Sequence, residues 1–322
     1  MKKFFERKIR RKLEENHVNF SNLKFLAGDA SNRKYFDLIQ GRKKNVLMYD
    51  SKPKSINNFL KITKILKEEV SVPEIIKDFK NEGILIIENL GTKKYSFYMN
   101  QKNKIKLYET AVDALIWMHK KKKLPAISKY DKKKFFKESN LFFKWYLPLF
   151  KRKKETNHIE KKFELLFTKF LNKIFLLPEV FVHRDYHIDN LFFLRNRKKH
   201  LKCGWIDYQD AVTGPCVYDL VSLTQDARID VPKRLEKMLI NHYLKSFPEI
   251  DRKLFTFSYS VIAIQRHLKV LGIFSRLFVR DKKKEYLCHI PRVLRMLKLN
   301  IEKKEFSDLY NFLKPMIYEK IN

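Results

Sequence analysis

Cysteine is nearly absent from this chain. The three present, Cys203, Cys216 and Cys288, lie far apart and form no C-x-x-C pair, which argues against a zinc site or a disulfide framework and fits a reducing cytoplasm. Long apolar runs are missing as well. No uninterrupted stretch reaches the ~18 residues of a membrane span, and the basic start Met1-Lys2-Lys3-Phe4-Phe5 is broken by Glu6, Arg7, Lys8, Arg10 and Arg11 before a signal-peptide core could form. Acidic residues are in short supply: 36 Asp and Glu face 70 Lys and Arg over 322 residues, a net charge of +34. Such an excess invites a nucleic-acid or anionic-membrane partner. The basic residues, however, are scattered in short runs along the whole length (Arg42-Lys43-Lys44, Lys120 to Lys123, Lys282 to Lys284) among abundant Ile, Asn and Phe, with only 7 Gly. That is the pattern of a compositional bias and a solvated lysine-rich surface, so no specific nucleic-acid partner is expected. The positive field would still steer nucleotide triphosphates and other anions.

What the chain does contain is His183-Arg184-Asp185-Tyr186-His187-Ile188-Asp189-Asn190, followed after a hairpin by Trp205-Ile206-Asp207. The spacing H-R-D-x-x-x-x-N with a second Asp beyond is the catalytic arrangement of protein-kinase-like phosphotransferases. There the first Asp takes the proton of the acceptor hydroxyl, and the Asn and second Asp hold magnesium. Leu191 to Leu194 and Leu201 to Ile206 read as the strands flanking the polar turn Asn196-Arg197-Lys198-Lys199. Centred between Lys198 and Lys199, that hairpin would set Asn190 directly across from Asp207 at ~5 Å between Cα atoms. Two oxygen ligands suffice for Mg²⁺, which takes the rest from nucleotide phosphates and water. Asp207 and Pro215 lie too close in sequence for the long activation loop that docks peptide substrates, so the acceptor is expected to be a small molecule.

In chain order, a basic helix over 4–13 precedes strands at 22–27, 33–38 and 45–49. The turn Gly28-Asp29-Ala30-Ser31-Asn32 falls where a kinase fold covers the phosphates. The third strand offers Met48 where protein kinases carry a phosphate-binding Lys, so another cation must serve; Arg33 is the first choice and Lys34 the second. A helix over 56–69 is expected to stop at Pro73, and strands at 74–77 and 84–88 form a second hairpin. Glu88-Asn89-Leu90-Gly91 then marks a hinge, with backbone groups near Glu88 and Leu90 placed for adenine. Apolar periodicity gives helices over 105–119, 135–150 and 159–177. The reading is an α+β, protein-kinase-like bilobal fold: an N-lobe of sheet plus one main helix over 1–90, and a mostly helical C-lobe over 91–322 carrying the catalytic hairpin and the acceptor site. ATP would lie between them.

The stretches His183 to Asn190, Ile206-Asp207-Tyr208-Gln209-Asp210-Ala211, Gly214-Pro215 and Tyr218-Asp219-Leu220-Val221 resemble the aminoglycoside/choline phosphotransferase superfamily. With Leu26 to Ser31, Ser71-Val72-Pro73-Glu74, Glu88 to Gly91 and Gln265 to Phe274, the chain is most similar within it to the N-acetylmuramate/N-acetylglucosamine anomeric kinases of bacterial cell-wall recycling, over about residues 22–300. The resemblance implies Asp185 as the base, Asn190 and Asp207 as Mg²⁺ ligands, Asp219 as a support for the loop, ATP as donor and an amino-sugar anomeric hydroxyl as acceptor. It also implies that a lysine missing from the third strand is usual for the family. Sugar contacts are not carried over. His187, Asp189, Gln209, Asp210 and Arg266 are candidates for the acceptor pocket by position, with His183 and Arg184 behind them; a structural ion pair remains open for Arg266. A cytoplasmic, monomeric enzyme is expected. The rival readings are an aminoglycoside or choline-like amine as acceptor, and a degenerate kinase fold kept as a binding scaffold.

Overall fold

The computed structural model describes residues 2–28, 33–149 and 157–318. Its contacts gather into two compact units, Met1–Asn100 with Asp189–Asp210, and Gln101–Ile188 with Ala211–Asn322. The chain is mixed α+β, with a small antiparallel sheet in the first unit and mostly helices in the second. Among the described residues no helix is long and apolar enough to cross a membrane.

The first unit, labelled in chain order, runs through α1 (Lys2–Glu15), β1 (Asn22–Ala27), β2 (Lys34–Gln40), β3 (Lys43–Tyr49), α2 (Pro53–Leu66), β4 (Ile75–Phe79), β5 (Ile84–Ile87) and α3 (Tyr95–Tyr98). The strands pair antiparallel in the order β1-β2-β3-β5-β4. Period-2 alternation puts Phe36, Leu38, Leu47, Tyr49, Ile84 and Ile86 on one face, where they pack with Ile9 and Leu13 of α1. The apolar stripe of the basic N-terminal helix is thus spent on the sheet. Each such side chain, taken fully from water, contributes about 1.5–3 kcal/mol.

Helix α2 starts three residues earlier than expected, with Pro53 in its first turn, where a missing N–H costs nothing. It ends at Leu66, well short of Pro73, so Glu68 and Glu69 lie outside it. The hairpin after the His183–Asn190 segment, β7 (Leu191–Phe193) and β8 (Cys203–Trp205), belongs to this unit, so a single division at residue 90 is not the one the contacts make. Its anchor is Ser71, whose carbonyl accepts from the Trp205 N–H at 2.8 Å and whose hydroxyl donates to the Leu201 carbonyl at 2.6 Å.

The second unit contains α4 (Lys104–His119), α5 (Lys132–Leu141), α6 (Asn157–Ile174), β6 (Glu179–Val182), β9 (Val212–Pro215), α7 (Tyr218–Thr224), α8 (Lys233–Lys245), α9 (Arg252–Asp281), α10 (Ile290–Ile301) and α11 (Ser307–Ile317). β6 and β9 pair antiparallel, with Val182 opposite Val212, and this short ladder fixes the start of the loop that begins at His183. Helix α9 is the centre of the unit, buried at every position from Ser258 to Gly272. The helix expected over 135–150 is instead α5 ending at Leu141, a π-helical stretch Phe142–Tyr146 and a 3₁₀ turn Leu147–Leu149. The change of pitch begins where α9 comes closest.

That approach requires a glycine. A Cβ built on Gly272 would lie 2.2 Å from the Leu141 carbonyl carbon and 2.4 Å from its oxygen, so backbone would have to move. Helix propensity favours alanine there by only about 1 kcal/mol, whereas overpacking against backbone costs about 1–3 kcal/mol or more. Gly272→Ala is therefore expected to lower Tm in a thermal melt by about 3 °C or more; an unchanged or higher Tm would contradict the close helix contact.

Candidate active site

The loop after β6 is held by groups that reach its backbone. Both oxygens of the buried Asp219 carboxylate, in the first turn of α7, accept from it: Oδ2 from the His183 N–H at 2.6 Å and Oδ1 from the Arg184 N–H at 3.0 Å. Arg184 has φ 76, the left-handed region that a branched or long side chain enters only under constraint. Its carbonyl is held from the other side by Arg266 Nη1 of α9 at 3.1 Å. Further along, the Tyr186 hydroxyl donates to the Ala111 carbonyl at 2.8 Å, and the Ile188 N–H donates to Asp226 Oδ2 at 3.4 Å. Asp185 sits in the middle of this anchored segment.

Electrostatics follow from the same neighbours. Burial alone would raise the Asp185 carboxyl; Lys269, Arg266, His187 and Arg184 reverse that and hold it well below the usual carboxylate range. Burial, followed by the Arg228 charge, drives His187 far below its ordinary value, so it is neutral at physiological pH. Asp219 moves the other way: burial pushes it up to about 7, against the pull of the two backbone N–H groups and Arg266. Asp185 is thus an ionised carboxylate beside a neutral imidazole.

In the first unit, β7 and β8 pair Leu191 with Trp205 and Phe193 with Cys203. The register differs by one residue from the sequence expectation. The hairpin centres on Lys198 because the connection ends in a 3₁₀ turn, Lys199–Lys202, entered with Lys199 at φ 48. Asn190 therefore faces Ile206, whose N–H donates to the Asn190 carbonyl at 3.0 Å, and Asp207 stands one residue beyond. There the chain turns sharply, with Asp207 at φ 63. Tyr208 fixes the turn: it is fully buried, stacked on Phe59 of α2 at 5.2 Å, and shares a 2.8 Å hydrogen bond with the Thr63 hydroxyl. Asp207 Oδ1 accepts from Gln209 Nε2 at 2.9 Å and lies 3.6 Å from Arg33 Nη1. Arg33 in turn reaches Asp50 Oδ2 at 3.4 Å and the Ser55 hydroxyl at 3.2 Å. Of the two cations considered for the role vacated at Met48, Arg33 is at the carboxylate, whereas Lys34 covers the Phe5 ring at 4.7 Å. Against burial, Tyr35, Asp207 and Asp210 keep the Arg33 guanidinium charged.

The candidate residues fall into three groups. Asp185, His187 and Arg266, with His183, Arg184 and Asp219, come together in the second unit. Arg266, a candidate for the acceptor pocket, is almost fully buried and holds the loop backbone. Asn190, Asp207, Gln209, Asp210 and Arg33 belong to the first unit with Asp189; Gln209 is buried and bridges Asp207 to Asp210, which is exposed. Glu88 and Leu90 line a cavity of about 410 Å³ between Glu88–Lys93 and Phe193–Arg197, spanned by a Glu88–Arg197 pair at 3.6 Å. Gly28 closes β1, and Asp29, Ala30, Ser31 and Asn32 lie outside the described residues. Sequence reasoning missed Glu138 and Lys269, both buried beside Arg184, and Asp226 under the loop. Lys269 carried a signal, a second cation one turn after Arg266 in an apolar helix; Glu138 sat among lysines in a helix that reads as amphipathic.

The phosphotransferase enzyme family matches residues 22–253. The chain belongs to that family. It is 30% identical over 311 residues to the N-acetylmuramate/N-acetylglucosamine kinase of Neisseria meningitidis serogroup B, covering 92% of this chain and 91% of that one. It is likewise 30% identical over 302 residues to the enzyme of that name from Pseudomonas aeruginosa, covering 89% and 86%. Among solved structures, a choline/ethanolamine kinase family protein from Mesorhizobium loti superposes with a TM-score of 0.65 at 15% identity, covering 96% of this chain and 99% of that one. The ADP-bound aminoglycoside phosphotransferase APH(2'')-Ib gives a TM-score of 0.60 at 14% identity, covering 89% and 96%. At those identities the structures show the fold, which is kinase-like.

Removing the Asp219 carboxylate leaves two buried N–H groups without their acceptor, at about 1–3 kcal/mol for each. Asp219→Ala is expected to lose about 3–5 kcal/mol of unfolding free energy in a urea titration. A loss under about 1 kcal/mol would show that the loop has another anchor.

Proposed function

We propose that this phosphotransferase is a sugar kinase that transfers the γ-phosphoryl group of ATP to the anomeric hydroxyl of N-acetylmuramate or N-acetylglucosamine. The observation that carries the reading is the similarity, over about nine-tenths of both chains, to enzymes named for those two sugars. The H-R-D-x-x-x-x-N segment and Asp207 support it by supplying every residue type the chemistry needs.

In this account Asp185 is the base. Its carboxylate, ionised by the surrounding cations, accepts the hydroxyl proton as the sugar oxygen bonds to the γ-phosphorus and the bond to ADP breaks. Asn190 and Asp207 fit Mg²⁺ in donor chemistry, one amide and one carboxylate oxygen at the end of the same hairpin, and Asp207 is exposed enough to accept a ligand. Bound there, Mg²⁺ would neutralise phosphate charge. Arg33, already at the Asp207 carboxylate, is the cation assigned to the phosphates in place of a third-strand lysine. Glu88 and Leu90 are assigned to adenine through their backbone, and Gly28 to Asn32 to the phosphates. His187, Asp189, Gln209 and Asp210 are assigned to the sugar side, with Arg266 acting through the loop. The nucleotide assignments then fall in the first unit, which also carries Asp189, Gln209 and Asp210, while Asp185, His187 and Arg266 belong to the second. A cytoplasmic monomer using cellular ATP fits this assignment.

The test is ATP turnover with N-acetylmuramate, N-acetylglucosamine, an aminoglycoside and choline. Phosphorylation of either sugar at its anomeric oxygen, well above the amines, is expected; turnover of an amine alone would overturn the reading. Asp185→Asn is expected to lower kcat by about 10³-fold or more, with removal of Mg²⁺ abolishing turnover. Because the Asp185 pKa is depressed, its ionised form persists as pH falls through the neutral range. The pH profile of kcat/KM should therefore show no acid limb from Asp185 above about pH 5.

A further inference from the structure

Glu138 of α5 and Lys269 of α9 are 8% and 6% exposed, an acid and a base taken out of water beside the catalytic loop. Glu138 Oε2 lies 3.2 Å from Lys269 Nζ, and Oε1 is paired with Arg184 Nη2. The Tyr130 hydroxyl donates to the same carboxylate, and Lys269 Nζ donates to the Tyr218 hydroxyl at 3.3 Å. The Arg184 guanidinium lies 5.9 Å from the centre of the Tyr130 ring. Arg184 is therefore gripped at three points: its N–H by Asp219, its carbonyl by Arg266, and its guanidinium by Glu138.

Stability alone is a poor reason for such a cluster. Buried ion pairs barely recover the desolvation of their members, and well-packed apolar side chains of the same volume do as well or better. What a cluster of this kind can do is specify one conformation, and the conformation at issue is unusual: Arg184 at φ 76, immediately before Asp185. The two backbone bonds fix where Arg184 sits. The guanidinium contact adds a hold on the side chain, so that the residue cannot leave the left-handed region without disturbing the Glu138 pair as well. Lys269 then keeps the Glu138 carboxylate in place and charged.

We propose that Glu138 and Lys269 are positioning residues for Asp185, which hold Arg184 by its side chain in the left-handed turn that aims the base. This rests on the kinase reading for its link to turnover, though not for the clamp itself.

The experiment compares wild type, Glu138→Gln/Lys269→Met and Lys269→Arg, with folded protein quantified by circular dichroism. The double variant removes one buried charge of each sign and so leaves the buried charge sum unchanged. In it kcat for the sugar is expected to fall about tenfold or more while KM for ATP stays within about twofold, and Lys269→Arg is expected to recover most of kcat. A wild-type kcat per folded molecule in the double variant would overturn the proposal. Where the double variant does not fold, Glu138→Asp keeps the charge and withdraws the carboxylate by one methylene. A fall in kcat of about threefold or more supports the clamp, and no fall overturns it. If wild type phosphorylates no sugar, the kinase reading fails by itself, and amide exchange over residues 183–187 decides this one. A loss of protection of about tenfold in the variant supports the clamp, and unchanged protection overturns it.

Discussion

Two backbone N–H groups, those of His183 and Arg184, end on one buried carboxylate, and the local geometry of the second unit is arranged around that fact. A loop that leaves a short two-stranded ladder has no partner strand to satisfy its amides, so each must find an acceptor or lose its place. Asp219 supplies both acceptors from the first turn of a buried helix, so the first two amides of the loop are tied to that helix. The left-handed Arg184 then becomes affordable, and Asp185 takes its direction from it.

Charges of both signs meet there although the chain is strongly basic: Glu138 and Asp185 face Arg184, Arg266 and Lys269, and Asp219, pushed by burial up to about 7, adds a part-ionised carboxyl. In the first unit the logic is local in the same way. Asp207 is turned out by its own backbone and tied down through its chain neighbours Tyr208 and Gln209 and, from the residue ahead of β2, through Arg33. A left-handed φ falls just before one carboxylate, at Arg184 ahead of Asp185, and at the residue that bears the other, Asp207.

The family was legible because the spacing H-R-D-x-x-x-x-N with a second Asp beyond is that of kinase-like phosphotransferases. The strands of the sheet were legible from alternation, and β1, β3 and β5 fall within two residues of expectation. The hairpin register was not, since it hangs on a 3₁₀ turn and a positive φ at Lys199, which no periodicity encodes. Nor was the end of α5, which is decided by the approach of Gly272 from over a hundred residues away. Glu138 was invisible for a similar reason. In sequence it is one charge among many on a lysine-rich helix, and only the packing of α5 against α9 turns it inward.

The most direct test of the central claim is a crystal structure of the chain with Mg²⁺, a non-hydrolysable ATP analogue and N-acetylmuramate or N-acetylglucosamine. The account predicts an Asp185 carboxylate oxygen about 3 Å from the anomeric hydroxyl, with Asp219 still bonded to both loop amides. A sugar hydroxyl contacted by some other base, with Asp185 turned away, would contradict it.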